Sequence, residues 1–214
     1  MSEVTDRRAR KRLETRRNIS YAATGLFAEK GFDNVTIDEI ASAADVGRMT
    51  VFNHFPHKED MFFDRDDEIR QTVADALRQR KDAESPIESL RLLAHRLIAE
   101  DRPFLQFSDA SQGFIAIIKG SDTLKARARA IRDEVANGVA VELAHCAGRE
   151  DVDADADARL AAALQLACWS TALISAHEEF AQSLDATRAA ATFLKLVDKG
   201  AAGLNAALAG TPYV

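Results

Sequence analysis

The sequence predicts an all-α protein. Alanine-rich stretches recur without the strict apolar and polar alternation of exposed strands, and apolar residues return at helical spacing between capping residues, Gly and Pro. Apolar residues make up 47% and charged residues 29% of the 214 residues, which is typical of a soluble globular chain. This length allows one domain or two small ones.

The first predicted helix has an apolar stripe and ends at a glycine. The stripe contains Ile19, Ala22, Ala23, Leu26 and Phe27. Gly31, in the sequence AEKGF, permits the left-handed conformation that commonly ends a helix. We expect this helix to support the segment that follows.

Residues 36–55, TIDEIASAADVGRMTVFNHF, have the pattern of a helix-turn-helix. Thr36 and Glu39 are spaced as a capping box, which predicts that the first helix begins at Ile37. The pattern breaks at residues 45–47, and a second short helix follows. Its outward side chains are suited to phosphates and base edges: Arg48, Met49, Thr50, Asn53 and His54. The expected partner is therefore double-stranded DNA.

The next start and stop signals predict three parts of the chain. Pro56 prevents the recognition helix from continuing, and Lys58 opens a predicted polar helix that runs to about Asp82. Ser85 and Pro86 then form the start signal of another helix. The predicted parts are a DNA-binding domain over 1–57, a connecting helix over 58–84, and an effector-binding and dimerisation domain over 85–214.

The C-terminal part is predicted to contain long helices. One spans Thr123 to about Ala147 and stops at Gly148; two alanine-rich helices follow, over about 156–183 and 186–208. We expect the last two helices to pair across a homodimer as a four-helix bundle. The candidate dimer contacts share one stripe of the last helix: Leu194, Val197, Ala201 and Leu204.

Charge is distributed unevenly along the chain. The net charge is −6, yet residues 1–17 hold seven basic and three acidic side chains, a local charge of +4 that leaves −10 for the rest. A solvated, frayed terminus is the alternative explanation of this arm. Beside a helix-turn-helix, DNA contact is the better interpretation, and we expect Arg16 and Arg17 to take part.

The order of these features resembles the TetR family of bacterial transcriptional regulators. The resemblance is carried by residues 17–62, through LFAEKGF and VTIDEIASAADVGRMTVFNHFPHKEDMF. It implies a homodimeric repressor that binds a near-palindromic operator and is released by a small molecule bound in the C-terminal domain. The polar N-terminal residues and the lack of a long apolar run separately predict a cytoplasmic location. Two alternatives remain: a DNA-binding regulator controlled by a protein partner without an effector, or an enzyme built on the helical body.

Carried over position by position, the resemblance implies a set of DNA contacts. Thr36, Thr50 and Lys58 correspond to phosphate contacts, and His54 lies near the DNA backbone. Arg48 and Met49 would face base edges, together with Asn53. The sequence departs from the family pattern in three places. Asp45 replaces a common Gly, Gly47 replaces a capping Ser or Thr, and Phe52 replaces a Tyr, so Phe52 is expected mainly to pack.

Aromatic and apolar residues of the C-terminal part could line a pocket for a largely apolar effector. The candidates are His95, Phe104, Phe107, Phe114, Ile118 and Trp169. Aromatic residues at helical spacing more often form ordinary core, so each of these residues has core packing as its alternative role.

No motif for catalysis, cofactor binding or metal binding is found. The sequence lacks a Gly-rich phosphate loop, a GxSxG elbow and an HExxH helix. Asp151, Asp153, Asp155 and Asp157 alternate as in a calcium loop, but the sixth position is Ala156 and the twelfth Ala162. We therefore expect a solvated loop and a helix start there, no cofactor, no metal and no enzyme. The sequence also lacks a signal peptide and an uninterrupted membrane span.

Overall fold

The computed structural model describes residues 2–151 and 155–214, with side chains from residue 7 onward. The chain divides into two compact units. The first unit contains residues 1–66 and 113–128, and the second contains 67–112 and 129–214. This division differs from the predicted boundaries after residues 57 and 84.

Over the described residues the protein is all-α and has no strand. Two 3-10 turns, Phe32–Asn34 and Pro103–Leu105, accompany the α-helices. The helices are α1 Ser2–Lys30, α2 Ile37–Ala43, α3 Arg48–His54, α4 Glu59–Phe62, α5 Asp66–Arg78, α6 Pro86–Ala99, α7 Asp109–Gly120, α8 Asp122–Cys146, α9 Ala156–Ser183 and α10 Ala186–Ala207.

The local signals of the first unit act as predicted. Gly31 follows α1 with a φ of 78°, in the left-handed region. The Thr36 hydroxyl accepts from the Glu39 amide, and the Glu39 carboxylate accepts from the Thr36 amide, which completes the capping box. Hydrogen bonds from Lys30 and from Thr36 lower the pKa of Glu39 to about 2, so the box is ionised at neutral pH. These contacts define where α2 begins.

The turn between α2 and α3 explains one departure from the family pattern. Asp45 has a φ of 52°, in the region that favours glycine. Asp is one of the few residues other than Gly that adopts this conformation at modest cost, because its short polar side chain bonds locally. Gly47 caps α3 without a side-chain hydrogen bond. The helix-turn-helix therefore keeps its backbone geometry with different residues.

Phenylalanine rings form the core of the first unit. Phe27 lies 4.9 Å from Phe32 and 6.1 Å from Phe62, measured between ring centroids. Val51 and Phe55, from α3, are fully buried in the same cluster. Edge-to-face and tilted ring pairs add to the free energy gained by burial. The short helices α2 and α3 are thus held by rings from several elements.

The predicted continuous helix from Lys58 to Asp82 is wrong. The chain forms α4 and α5, with a break at 63–65 where Phe63 has a non-helical ψ of 41°. Consecutive side chains on a helix point about 100° apart. Phe62 and Phe63 nevertheless both contact the Phe114 ring, at 4.3 and 6.2 Å. Aromatic packing overrides the helical propensity of this segment.

Closely packed helices form the second unit. α6 begins at its predicted start, and α9 and α10 begin and end within about a residue of their predicted bounds. Ser85 and Asp155 cap α6 and α9 as helix-start residues. At Gly200 of α10, an added Cβ would lie 2.8 Å from the Cβ of Cys168 on α9. The absence of a side chain at Gly200 therefore allows this close approach.

The predicted dimer contacts lie mostly inside the subunit. Val197, Ala201 and Leu204 are 1%, 5% and 2% exposed, because α10 uses this stripe to pack on its own chain. Leu194 is half-buried against the same core. This stripe therefore packs within the subunit, and any partner helix would have to meet another face of α10.

The C-terminus is fixed in the core of the second unit by Tyr213. Its side chain is fully buried, and its hydroxyl donates to the Asp155 carboxylate, which also accepts from Arg149 at 2.7 Å. The Ala158 amide donates to the same carboxylate at 3.0 Å. Asp155 thus serves as a helix cap rather than as part of a calcium loop; Asp153 lies outside the described residues.

By length and composition, α9 is apolar enough to cross a membrane, with a mean hydropathy of 1.3 over its most apolar window. Its inner face is buried against the rest of the second unit, from Ala158 to Phe180. Core helices of soluble proteins have the same composition, so this property is weak support for a membrane span.

Candidate functional site

The outer face of α3 is exposed in the way that a recognition helix requires. Met49 is 72% exposed, and Arg48 and Asn53 are also exposed, whereas Val51 is fully buried beneath them. Thr50 is half-buried beside Gly47. One face of this seven-residue helix therefore packs, and the other is free to enter a groove.

Arg48 is held by an acidic residue that the sequence interpretation missed. Its Nη1 donates to the Asp38 carboxylate at 3.1 Å, and its guanidinium lies 5.6 Å from the centroid of the Phe52 ring. Asp38, at the start of α2, is close to the first residue of α3. In the sequence, this ion pair corresponds to an acidic residue in the first turn of α2 and a basic residue at the start of α3. This combination is too common to predict an ion pair without a structure.

Arg16 contacts the protein rather than solvent alone. Its guanidinium donates to the carbonyl of His54 and lies 4.0 Å from the centroid of the Phe55 ring. This arrangement satisfies a carbonyl at the end of α3. Arg16 thus positions the recognition helix, in contrast to the exposed Arg17, which remains a candidate phosphate contact. Burial, followed by the charges of Arg12 and Arg16, lowers the pKa of His54.

Lys58 is directed inward, in contrast to its predicted phosphate contact. Its ammonium donates to the carbonyls of Phe32 at 2.8 Å and Val35 at 2.9 Å, and lies 4.2 Å from the centroid of the Phe32 ring. Burial lowers its pKa, although nearby Asp33 opposes the change. Two of its three donors are occupied, so in this conformation Lys58 anchors the start of α4.

The six effector candidates divide between the two units. Phe114 and Ile118 belong to the first unit, where they pack with its core. Phe104, Phe107 and Trp169 contact the core of the second unit. The division falls within α7, which contributes residues to both units.

His95 lies in a polar surface cluster of the second unit. Its Nε2 is 2.8 Å from an Asp198 carboxylate oxygen and 3.3 Å from Arg91, and its side chain is 37% exposed. These contacts occupy the Nε2 atom of a residue that was a candidate for lining an apolar pocket. A cleft of about 360 Å³ lies elsewhere, between Val73 of α5 and Val139 of α8, with Arg70 and Glu142 also lining it. None of the six candidates lines this cleft.

No group of three or more His, Cys, Asp or Glu side chains is placed to hold a metal ion within the part of the chain that the structure describes. The two cysteines, Cys146 and Cys168, are half-buried and form no disulfide. Burial raises the pKa of each thiol.

The capped helix α2 is followed by the short helix α3, whose outer face is exposed. This arrangement defines a helix-turn-helix protein. Residues 19–64 match the model of the bacterial regulatory proteins of the tetR family, so this N-terminal segment is similar to the DNA-binding part of those regulators. Regulators of this kind are not enzymes, as predicted from the lack of catalytic motifs.

Two curated regulators share the N-terminal sequence. The chain is 31% identical over 83 residues to the HTH-type transcriptional regulator TcmR of Streptomyces glaucescens, covering 39% of this chain and 37% of TcmR. It is 33% identical over 70 residues to the HTH-type transcriptional regulator YhgD of Bacillus subtilis, covering 33% and 35%. Each match thus spans little more than a third of the relative.

Solved structures extend the likeness of fold to nearly the whole chain. A TetR-family regulator of Mesorhizobium loti superimposes with a TM-score of 0.55 at 20% identity, covering 92% of this chain and 97% of that protein. NalD, a repressor of a multidrug efflux pump in Pseudomonas aeruginosa, gives 0.56 at 18% identity over 89% and 96%. SmeT in complex with triclosan gives 0.57 at 16% identity over 89% and 91%. At these identities the likeness concerns the fold.

Proposed function

We propose that this protein is a cytoplasmic, homodimeric transcriptional repressor that binds a near-palindromic DNA operator and is released by a small, largely apolar molecule bound in its second unit. The observation that carries the proposal is the exposed face of α3, with Arg48, Met49 and Asn53 outward from a helix fixed by its buried residues. Such a helix fits the major groove.

The roles within this face follow from what each side chain contacts. Arg48 would read a base edge, and its bond to Asp38 holds the guanidinium at the start of α3 in the absence of DNA. Exposed Asn53 and Met49 would complete the readout. Thr36, Arg17 and Thr50 remain candidates for phosphate contacts, which set the register but carry no sequence information.

A dimer is required because one short helix spans few base pairs, whereas two successive major-groove faces lie about 34 Å apart. Since the predicted stripe of α10 is buried, we place the interface on the outward faces of α9 and α10. Ile174 and Leu160 of α9 are 59% and 46% exposed, which is unusual for large apolar residues of one helix. Gly203 of α10 leaves open space for a partner helix.

Control by a small molecule is proposed by analogy of fold, since SmeT has been crystallised with triclosan. An effector acts only through a difference in affinity between two conformations. Control by a protein partner is the alternative; it predicts that no small molecule changes operator affinity. A mobility-shift titration of the operator, with and without added compounds, separates the two.

DNA binding is tested with Arg48→Ala. If Arg48 reads a base, we expect specific affinity to fall by about 1 to 3 kcal/mol, with random DNA little affected. The control is Arg132→Ala, which removes an equal exposed charge from α8. An equal loss on operator and random DNA would make Arg48 a phosphate contact, and operator affinity that does not depend on salt concentration would contradict DNA binding itself.

The interface is tested with Ile174→Glu. A carboxylate in an apolar dimer interface has no partner, so we expect a monomer in sedimentation experiments at concentrations where the wild type is a dimer. Leu13→Glu, at an apolar residue of α1 that is 62% exposed, should leave the dimer intact. A wild-type monomer at DNA-binding concentrations would exclude the dimeric mechanism.

A further inference from the structure

Among the polar atoms of the second unit that are sealed from solvent and have no hydrogen-bond partner, two lie close together in sequence on α9: Oε1 of Gln165 and Nε1 of Trp169. Gln165 is only 5% exposed. The two residues lie on α9 four positions apart, so they are neighbours on one face of the helix. One atom is an acceptor and the other a donor, yet they are not bonded to each other.

Such a pair is costly unless another polar group forms hydrogen bonds with its members. A buried polar group without a partner costs about 1 to 3 kcal/mol, and folded proteins leave few of them. The flanking buried positions of α9 are alanines, Ala161, Ala162 and Ala172, whose side chains cannot form hydrogen bonds. A third molecule that both donates and accepts would satisfy both atoms.

The neighbouring side chains offer an apolar, aromatic environment. The Trp169 ring lies 6.2 Å from Phe193, and Phe193 lies 6.5 Å from Phe107, between ring centroids. Phe107 belongs to the segment 106–108, which is in no helix. It can therefore move aside without breaking helical hydrogen bonds, which gives a ligand a way to enter between the rings.

We propose that this pair binds the hydroxyl group of a small, neutral, aromatic or otherwise apolar molecule. The hydroxyl donates to Gln165 Oε1 and accepts from the Trp169 indole N–H, and the apolar body packs on Phe107 and Phe193. A hydroxyl is the smallest group that can do both at one atom. A charged molecule is excluded because the alanines and phenyl rings named above offer no counter-charge. As the effector site, this pair rests on the proposed function and names its ligand class.

The probes for the test are phenol and its methyl ether, anisole, which has the same ring but cannot donate. Trp169 is the single tryptophan of the chain, so its indole N–H gives one assignable resonance. We expect phenol to shift this resonance in a saturable way, and anisole to bind about five- to tenfold more weakly for want of one hydrogen bond.

Gln165→Leu removes the acceptor and keeps a side chain of similar volume. We expect this variant to bind phenol and anisole equally, and to melt at a higher temperature than the wild type without ligand, because the unsatisfied oxygen is gone. The control is Gln182→Leu, at an exposed glutamine of the same helix, which should keep the preference for phenol. Trp169→Phe should lose the same preference when binding is measured by calorimetry.

Three results would overturn the proposal: no phenol binding, equal binding of phenol and anisole by the wild type, or a preference for phenol that survives Gln165→Leu. The titrations contain no DNA, so they are independent of the proposed repressor function. Phenol that binds at Trp169 without changing operator affinity would contradict the effector role and leave the ligand site standing.

Discussion

The cores of the two units of this protein are packed with different kinds of residue. The core of the first contains four phenylalanine rings, Phe27, Phe32, Phe55 and Phe62, among aliphatic residues. The second packs long helices through small residues, and its buried alanines are Ala76, Ala94, Ala140, Ala144, Ala158, Ala161, Ala162, Ala172, Ala176, Ala189 and Ala201. A few large rings fix short helices from several directions, whereas small side chains let two long helices lie close together along their length.

This difference has a functional consequence. In the first unit the recognition helix has only seven residues and must be held rigidly to present Arg48 and Met49 to DNA. In the second unit the packing depends on many small side chains, and the Gln165 and Trp169 atoms described above remain unsatisfied within it. We infer that the first core serves to hold the recognition helix in place, and that the second core serves to respond to a bound ligand.

The strongest test of the ring-based core is Phe27→Ala. Phe27 is fully buried and contacts two other rings, so we expect a loss of about 3 to 5 kcal/mol in the free energy of unfolding of the first unit, and loss of operator binding. Tyr21→Ala, on the same helix at a side chain that is 85% exposed, should change stability by less than about 0.5 kcal/mol. Chemical denaturation followed by circular dichroism measures both. Similar losses for the two variants would mean that the rings do not carry the stability.

Sequence reasoning succeeded where the determining interactions are local. The capping box at Thr36, the stop at Gly31 and the start at Ser85 involve residues within about one turn of each other, and all are found as predicted. The bounds of α9 and α10 could also be predicted, because an acidic cap precedes each helix.

It failed where a side chain has more than one possible neighbour. Lys58 was expected to face DNA, but its amine bonds to carbonyls more than twenty positions earlier in the chain. The stripe of Val197 and Leu204 is a packing face, but it packs within the subunit. Helical periodicity specifies a buried face but not what covers it. Phe114 illustrates the same limit, because its stacking on Phe62 depends on tertiary structure.

The small-residue packing of the second unit is tested with Gly200→Ala. The new Cβ would lie 2.8 Å from both the Cβ and the Sγ of Cys168, so α9 and α10 must separate, and we expect a loss of about 1 to 3 kcal/mol. Gly138→Ala, inside α8 of the same unit and facing open space, provides the matched control. There the greater helix propensity of alanine should stabilise the protein by about 0.5 to 1 kcal/mol. Equal effects at the two positions would contradict the close approach at Gly200.

The smallest expected effect is that of Tyr213→Phe, which removes one hydroxyl from the core of the second unit. Burial tends to raise the pKa of Asp155, but hydrogen bonds from Tyr213, the Ala158 amide and Arg149 outweigh it, and the pKa lies below its usual range. Because the other two donors remain, we expect a loss of about 1 kcal/mol at neutral pH.

The pH dependence of this effect provides its sharpest test. A carboxyl whose pKa is lowered by folding stabilises the protein above its unfolded pKa of about 4, and this stability is lost as the pH falls through the folded pKa. Without the Tyr213 hydroxyl the folded pKa of Asp155 is lowered less, so the variant has less stability to lose on acidification. The difference in free energy of unfolding between wild type and variant should therefore be largest at neutral pH and should decrease below about pH 4. Urea denaturation across this range measures this difference, and a difference that stays constant would mean that the hydroxyl acts through packing rather than through the Asp155 charge.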